Sequence, residues 1–282
     1  MSPAAPPFTL QLALPSDIPI LSKIGAEAFV NDRQTQMKDY GKTSSYMEDH
    51  GLGALEGYIS SPKCVVIKAV DHVSSQIMGL VTWGFRGFEP EEVKEFERCT
   101  GLAVDRDMDA LDGRKDLSWQ GEKIAVNSTE TPVEVDSDAS KTEAAVDGTT
   151  VDAPTKSNED PIARLQALTN HDMTNWSEKL MPPGTRCLFV IGLSVAPVWQ
   201  HQGVGSALLE WGKSTAAKAD TFCWVHSSEP AWGMYAKAGF EVVGTLDVDL
   251  DEYAPGPSPD REGKWGHYVF RYMKWSPKNV RS

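Results

Sequence analysis

Cysteine is scarce in this sequence: there are four in 282 residues, Cys64, Cys99, Cys187 and Cys223. None falls in C-x-x-C or Cys/His ligand spacing, so neither a disulfide framework nor a metal site is expected. Long apolar runs are missing too, and no stretch approaches a membrane span. The N-terminus, MSPAAPPFTL, lacks the basic flank and apolar core of a signal peptide. Positive charge is in deficit, with 27 Lys and Arg against 40 Asp and Glu and a formal net charge of −13. That balance speaks against a nucleic-acid surface or a polybasic membrane patch. No internal repeat is evident. These absences point to a reduced, cytoplasmic setting (with the nucleus left open), in which Cys187 and Cys223 are buried free thiols.

What is present alternates between strand and helix. Phe8 to Leu14 alternates as a first strand. Pro15-Ser16-Asp17 then starts a helix with Ser16 as cap, and Ile18, Leu21, Ile24, Ala28 and Phe29 form its apolar stripe. Asn31 to Gly57 holds a second helical region. Lys63 to Val70 and Gln76 to Phe85 are β-branched and apolar strands about the turn Asp71 to Ser75. Later come a short strand Thr221 to His226, a helix Pro230 to Ala238 ended by Gly239, a strand Phe240 to Val248 and a last strand Trp265 to Trp275.

Between these halves lies a long interruption, Arg86 to Gly184. Its centre, Val126 to Asp160, carries nine acidic residues against Lys141 and Lys156 and has no aromatic residue. Such a segment cannot bury enough apolar surface to offset its ordering entropy, and it reads as disordered. Its flanks, Glu89 to Glu97 and Pro161 to Leu180, read as helices. Either could cover an edge of a site, but a plain surface insertion is the first expectation.

The most informative stretch is Cys187 to Phe240. The apolar run CLFVIGLSV reads as a buried strand. It feeds the turn Gln200-His201-Gln202-Gly203-Val204-Gly205, which opens a helix from Ser206 to Ala219. A glycine turn at a helix N-terminus presents unpaired N–H groups and the positive end of the helix dipole, an anion site. It is not a P-loop, because Ala207 and Leu208 stand where Lys and Ser/Thr are needed. It is not a dinucleotide fingerprint either, because the third glycine is missing. What remains is Q-x-x-G-x-G, followed by Tyr235-Ala236-Lys237-Ala238-Gly239-Phe240. That pairing resembles the GNAT superfamily of acyl-CoA-dependent N-acetyltransferases. LSVAPVWQHQGVGSALL is similar to its pyrophosphate-binding motif and SSEPAWGMYAKAGF to its second motif.

The resemblance implies an α/β GNAT fold, a mixed twisted central sheet flanked by helices, as a single domain over 1–282 with residues 86–184 inserted in it and 126–160 disordered. It covers Phe8–Phe85 loosely and Thr185–Trp275 well. It implies acetyl-CoA as co-substrate, no metal, and a primary amine as acceptor. Backbone groups of Leu193, Ser194 and Val195 are expected to hold the pantetheine arm. Gln200, His201, Gln202, Gly203, Val204, Gly205 and Ser206 are expected to hold the pyrophosphate, although Gln-His-Gln replaces the basic residue many members carry. Ser228 is expected to bond the cofactor arm. Tyr235 matches the general acid toward the leaving thiolate, a phenol protonated at neutral pH. Its plain alternative is a packing residue. The general base does not carry over, because Cys187 to Val195 contains no carboxylate. His226 is the candidate by its pKa range, against the plainer reading of a structural histidine. Glu229 and His267 are weaker candidates.

Trp224, Trp232, Trp265, Tyr268 and Tyr272 read first as core and second as an acceptor pocket for an apolar or aromatic amine. The acceptor is expected to be a small-molecule amine. The rivals are a lysine or N-terminus of a protein, and a non-catalytic acyl-CoA-binding module. The resemblance admits a homodimer through the last strands; no nucleic-acid or membrane partner is expected.

Overall fold

The two β-branched runs form the hairpin that the pattern predicts, β2 (Cys64–Asp71) and β3 (Ile77–Arg86). A computed structural model describes residues 6–42, 46–99, 102 and 160–277. Before the hairpin come β1 (Phe8–Leu12), α1 (Ile18–Phe29), α2 (Arg33–Asp39) and α3 (Tyr46–Ser60). After it come α4 (Pro90–Cys99), α5 (Pro161–Leu180), β4 (Cys187–Val195) and α6 (Val204–Lys218). The chain continues through β5 (Phe222–Ser227), α7 (Trp232–Lys237), β6 (Glu241–Asp249) and β7 (His267–Trp275).

The strands make one seven-stranded sheet in the order β1-β2-β3-β4-β5-β7-β6. Neighbours are antiparallel except β4 and β5, which run parallel with α6 as their crossover. Alternation sends side chains to two buried faces. On one face Leu188, Val190, Cys223, Val225 and Met273 pack with Leu208 and Leu209 of α6 and Tyr235 of α7. On the other, α1 and α3 place Leu21, Ile24, Leu55 and Ile59 over Val66 and Leu80. Among the described residues no helix is long and apolar enough to cross a membrane.

Two expectations change. Asp17, not Ser16, secures the first helical turn: its carboxylate accepts the Leu14 N–H at 2.7 Å and pairs with Lys68 Nζ at 2.6 Å. The described flanks of the 86–184 insertion are not surface additions. Val93 of α4 is fully buried in the core beside Phe85 and Phe88. Leu165 of α5 is fully buried with Val248, Tyr268 and Phe270, and Trp176 stacks on Tyr272 at 4.9 Å. The α5 helix thus covers the β5-β7-β6 half of the sheet, where apolar side chains on β7 would otherwise meet water. Deleting a buried leucine side chain such as Leu165 costs about 2–5 kcal/mol. The stretch expected to be disordered, 126–160, lies outside the described residues apart from Asp160, which caps α5 through the Ile162 N–H at 3.0 Å.

Candidate active site

The site begins where β4 and β5 stop pairing. Their parallel register runs from Cys187↔Phe222 to Val190↔Val225 and ends there. Beyond it β4 continues on β3 to Val195, while β5 continues on β7 through His226↔Tyr272 and Ser227↔Arg271. The divergence has a local cause. The register passes from Thr82↔Gly192 to Trp83↔Val190, leaving Ile191 as an extra residue on β4. Such a bulge bends its strand and increases its twist.

The bend leaves a notch lined by main chain. Ala196 N–H donates to Met78 O at 2.9 Å, so the even-numbered residues Ser194 and Gly192 also turn their peptide groups toward β3. Leu193 and Val195 turn theirs into the notch. Ser194, expected beside them, faces β3 opposite Leu80, because bonding direction alternates along a strand.

A single turn of 3-10 helix, Pro197–Trp199, leads from β4 to α6. Gln200 bends back and its Nε2 donates to Val195 O at 3.1 Å, and Gln202 Nε2 donates to Val198 O at 2.9 Å. These side chains brace the turn. Gly203 caps α6 with φ +84°, where a Cβ would meet nothing within 4 Å; the glycine serves the backbone angle, not space. His201 also holds positive φ, at 62°. The first intrahelical bond is Ala207 N–H to Gly203 O at 3.0 Å. The N–H groups of Val204, Gly205 and Ser206 before it find no partner among the described residues. Three amides and a helix dipole thus point out of the sheet edge beside the notch.

The Tyr-x-x-x-Gly-Phe element closes α7. Gly239 N–H donates to Ala236 O and Phe240 N–H to Tyr235 O, both at 3.0 Å. Gly239 at φ +88° supplies the left-handed residue of this Schellman end. The Tyr235 ring meets Phe240 edge-on at 5.6 Å and is 4 % exposed. Its hydroxyl makes no hydrogen bond among the described residues, and burial raises its pKa above the ordinary phenol value.

His226 lies on the opposite face of β5, stacked on Phe270 at 5.0 Å and Tyr272 at 4.7 Å. Its Nε2 is sealed from solvent with no partner among the described residues. Burial pushes its pKa down to about 4. Ser228 follows β5, with its carbonyl accepting the Ser227 hydroxyl at 3.0 Å. Glu229 is held by Arg33, and the exposed His267 pairs with Asp247 at 2.9 Å, which raises its pKa. Of the aromatics, Trp224, Tyr268 and Tyr272 are core, Trp232 is an exposed ring under Arg271, and Trp265 walls a cleft.

That cleft, about 580 Å³, opens between α1, α2, the turn after β4 and the 253–265 loop. Its walls include Glu27, Asp39, Tyr40, Pro197, Pro259 and Trp265. Beside it runs a polar network the sequence did not disclose. Asp32 caps α2 through Thr35 N–H at 2.9 Å and accepts the Tyr268 hydroxyl at 2.7 Å. Next to it, Arg33 donates to the carbonyls of Trp265 and His267, each at 2.6 Å. The one legible signal was an Asp in capping position before a polar helix; its distant partners are invisible in a linear pattern.

The site is thus a mixed sheet that parts at the one parallel pair among the described residues, with a glycine-capped helix at the opening. Residues 170–242, which contain β4, α6, β5 and α7, match the acetyltransferase (GNAT) domain model. A putative arylalkylamine N-acetyltransferase 7 of the yellow fever mosquito superposes with a TM-score of 0.51 at 10 % identity, over 95 % of this chain and 87 % of that one. An apo agmatine N-acetyltransferase gives 0.49 at 12 % identity, over 96 % and 100 %. The polyamine N-acetyltransferase of Drosophila melanogaster gives 0.47 at 14 %, also over 96 % and 100 %. No curated protein matches the sequence. Over residues 170–242 the chain carries a GNAT acetyltransferase domain, whose family uses acetyl-CoA as donor.

Proposed function

We propose that this protein transfers an acetyl group from acetyl-CoA to the primary amine of a small molecule by direct attack, without a covalent enzyme intermediate. The observation that carries this is the parting of β4 from β5 after Val190, beside the free N–H groups of α6. Leu193 and Val195 would pair with the pantetheine arm as a missing strand does. The amides of Val204, Gly205 and Ser206 would take the pyrophosphate, with Gln200, His201, Gln202 and Gly203 shaping the turn and Ser228 lying across the notch.

In the reaction the amine nitrogen bonds to the thioester carbon, the C–S bond breaks, the nitrogen loses a proton and the sulfur gains one. Tyr235 is proposed to give the sulfur its proton. Burial raises the pKa of the phenol, but it disfavours the thiolate as well, so the pair stays matched. His226 is a weaker choice for base. A group with a pKa of about 4 takes a proton from an ammonium poorly, and its stacking between rings describes a packing residue. We assign removal of the amine proton to water in the open cleft.

A protein acceptor would need an open groove between the first helices and the last strand. Arg33 bridges that space to the carbonyls of Trp265 and His267, and Tyr268 bridges it to Asp32. These ties support a small acceptor in the adjoining cleft, whose volume suits a ligand of small-molecule size. We read the chain as one such domain, with α4 and α5 built into its core.

The test is release of CoA thiol from acetyl-CoA across amines and peptides, with Gly203→Asp as control. Wild-type turnover lost in the control supports the assignment. Thermal stabilisation by acetyl-CoA without turnover on any acceptor would favour a binding module instead.

A further inference from the structure

The turn that would grip acetyl-CoA carries no fixed positive charge. Residues 196–206 contain no Lys or Arg, and neither β4 nor β5 adds one. A cation comes instead from β7. Arg271 pairs across the sheet with Ser227, the last residue of β5 and the one before Ser228. Its guanidinium carbon lies 4.7 Å from the centroid of the Trp232 ring, and its Nη1 donates to Val269 O at 3.0 Å. It forms no ion pair among the described residues. Asp247, two residues along β6 from its cross-strand partner Thr245, is taken by His267, and Glu229 by Arg33. Trp232 begins α7 and is 41 % exposed. Two residues on, the Met234 sulfur lies 3.0 Å from where a Cβ on Gly205 would be. The helix that carries Trp232 therefore packs against the start of α6, and Arg271 stands at the notch edge beside Ser228.

A guanidinium over an indole face is held in place with its N–H fork free for a phosphate. The indole keeps exposed surface that can take a purine, since every base offers a π-face for stacking. Acetyl-CoA ends in an adenosine that carries a 3′-phosphate besides the pyrophosphate. The α6 amides can meet the pyrophosphate, but they bring only backbone dipoles, in a chain whose net charge is −13. Resting on the acetyl-transfer reading, we propose that Trp232 and Arg271 hold the nucleotide end of the donor: the indole stacks on the adenine and the guanidinium pairs with the 3′-phosphate. The positive charge missing from the glycine turn is thus supplied by a neighbouring strand. A donor that lacks the 3′-phosphate binds more weakly.

The test is calorimetric titration of acetyl-CoA and 3′-dephospho-acetyl-CoA into wild type, Arg271→Gln and Trp232→Ala. Wild type should bind acetyl-CoA about tenfold more tightly than the dephospho form, and Arg271→Gln should bind the two alike. The ratio is read within one protein, so a change in its folded fraction does not alter it. Trp232→Ala should weaken both donors by about tenfold, through the lost stacking. Equal Kd values for the two donors in wild type, or a preference that persists in Arg271→Gln, would overturn the assignment while leaving acetyl transfer standing. So would a Trp232→Ala variant that binds acetyl-CoA as tightly as wild type. Wild type that binds neither donor would overturn both readings.

Discussion

Arg33 Nη2 lies 2.8 and 2.9 Å from the two carboxylate oxygens of Glu229. Those residues begin α2 and follow β5, and the same guanidinium holds the carbonyls of Trp265 and His267 ahead of and at the start of β7. One fork therefore ties three segments together, and it does so between the cleft wall at Trp265 and the notch edge at Ser228. Glu229 adds a bond from Val269 N–H at 3.0 Å. Only a planar, multi-donor group can serve all of these acceptors at once.

Arg33→Lys should therefore not be conservative. With side-chain exposures of 14 % and 35 %, the pair is part-buried, and losing its charged hydrogen bonds should cost about 2 kcal/mol in denaturant unfolding. The acceptor KM should rise more than the acetyl-CoA KM, because the tie positions the cleft wall. An Arg33→Lys, Glu229→Gln cycle measures the coupling; additive single effects would show that the two do not act as a pair.

Gly203 separates conformation from charge. Gly203→Ala places a Cβ in open space but at φ +84°, so strain alone should cost about 1 kcal/mol. Gly203→Asp adds a negative charge where the α6 amides point. Its acetyl-CoA Kd should weaken by about tenfold more than that of the alanine variant, as titration calorimetry would show. Equal weakening by both would mean that the turn does not meet an anion.

Tyr235→Phe keeps the ring that packs on Phe240 and removes only a hydroxyl with no protein partner. Unfolding free energy should stay within about 1 kcal/mol of wild type while kcat falls by about 10²-fold or more. A kcat unchanged by the substitution, with normal stability, would make Tyr235 a packing residue.

His226 offers a pH signature. Its pKa is lowered from 6.5 to about 4 by burial, so below pH 6.5 the unfolded chain binds this proton while the folded chain does not. Its contribution to stability is therefore complete above about pH 6.5 and is lost as pH falls toward 4, by up to about 3 kcal/mol. His226→Phe keeps the stacking on Phe270 and Tyr272 and should flatten that part of the wild-type acid slope. Identical slopes in the two proteins would mean that the imidazole is not sealed.

The strands, the helices of the second half and the glycine turn that caps α6 were legible because each is local. Alternation marked β1 and β7, runs of β-branched and apolar residues marked β2 and β3, and the α5 boundaries follow an Asp-Pro start and a long amphipathic run. Tyr235-Ala236-Lys237-Ala238-Gly239-Phe240 could be matched because a Schellman end needs its glycine and its apolar pair at fixed offsets. Other features were not legible, for equally physical reasons. Ser194 looked equivalent to its neighbours because sequence does not show which way a peptide group turns. The flank helices looked peripheral because a lone amphipathic face does not name the surface it covers.

By itself, the sequence determined that a strand would feed a glycine-capped helix and that no strand-four carboxylate would be present, since both depend on residues a few positions apart. Tertiary structure alone decided that β4 and β5 part after Val190, that His226 is stacked on the rings of Phe270 and Tyr272, and that Arg33 meets Glu229. Each of those depends on elements far apart in the chain, brought together when they bury one another's apolar faces.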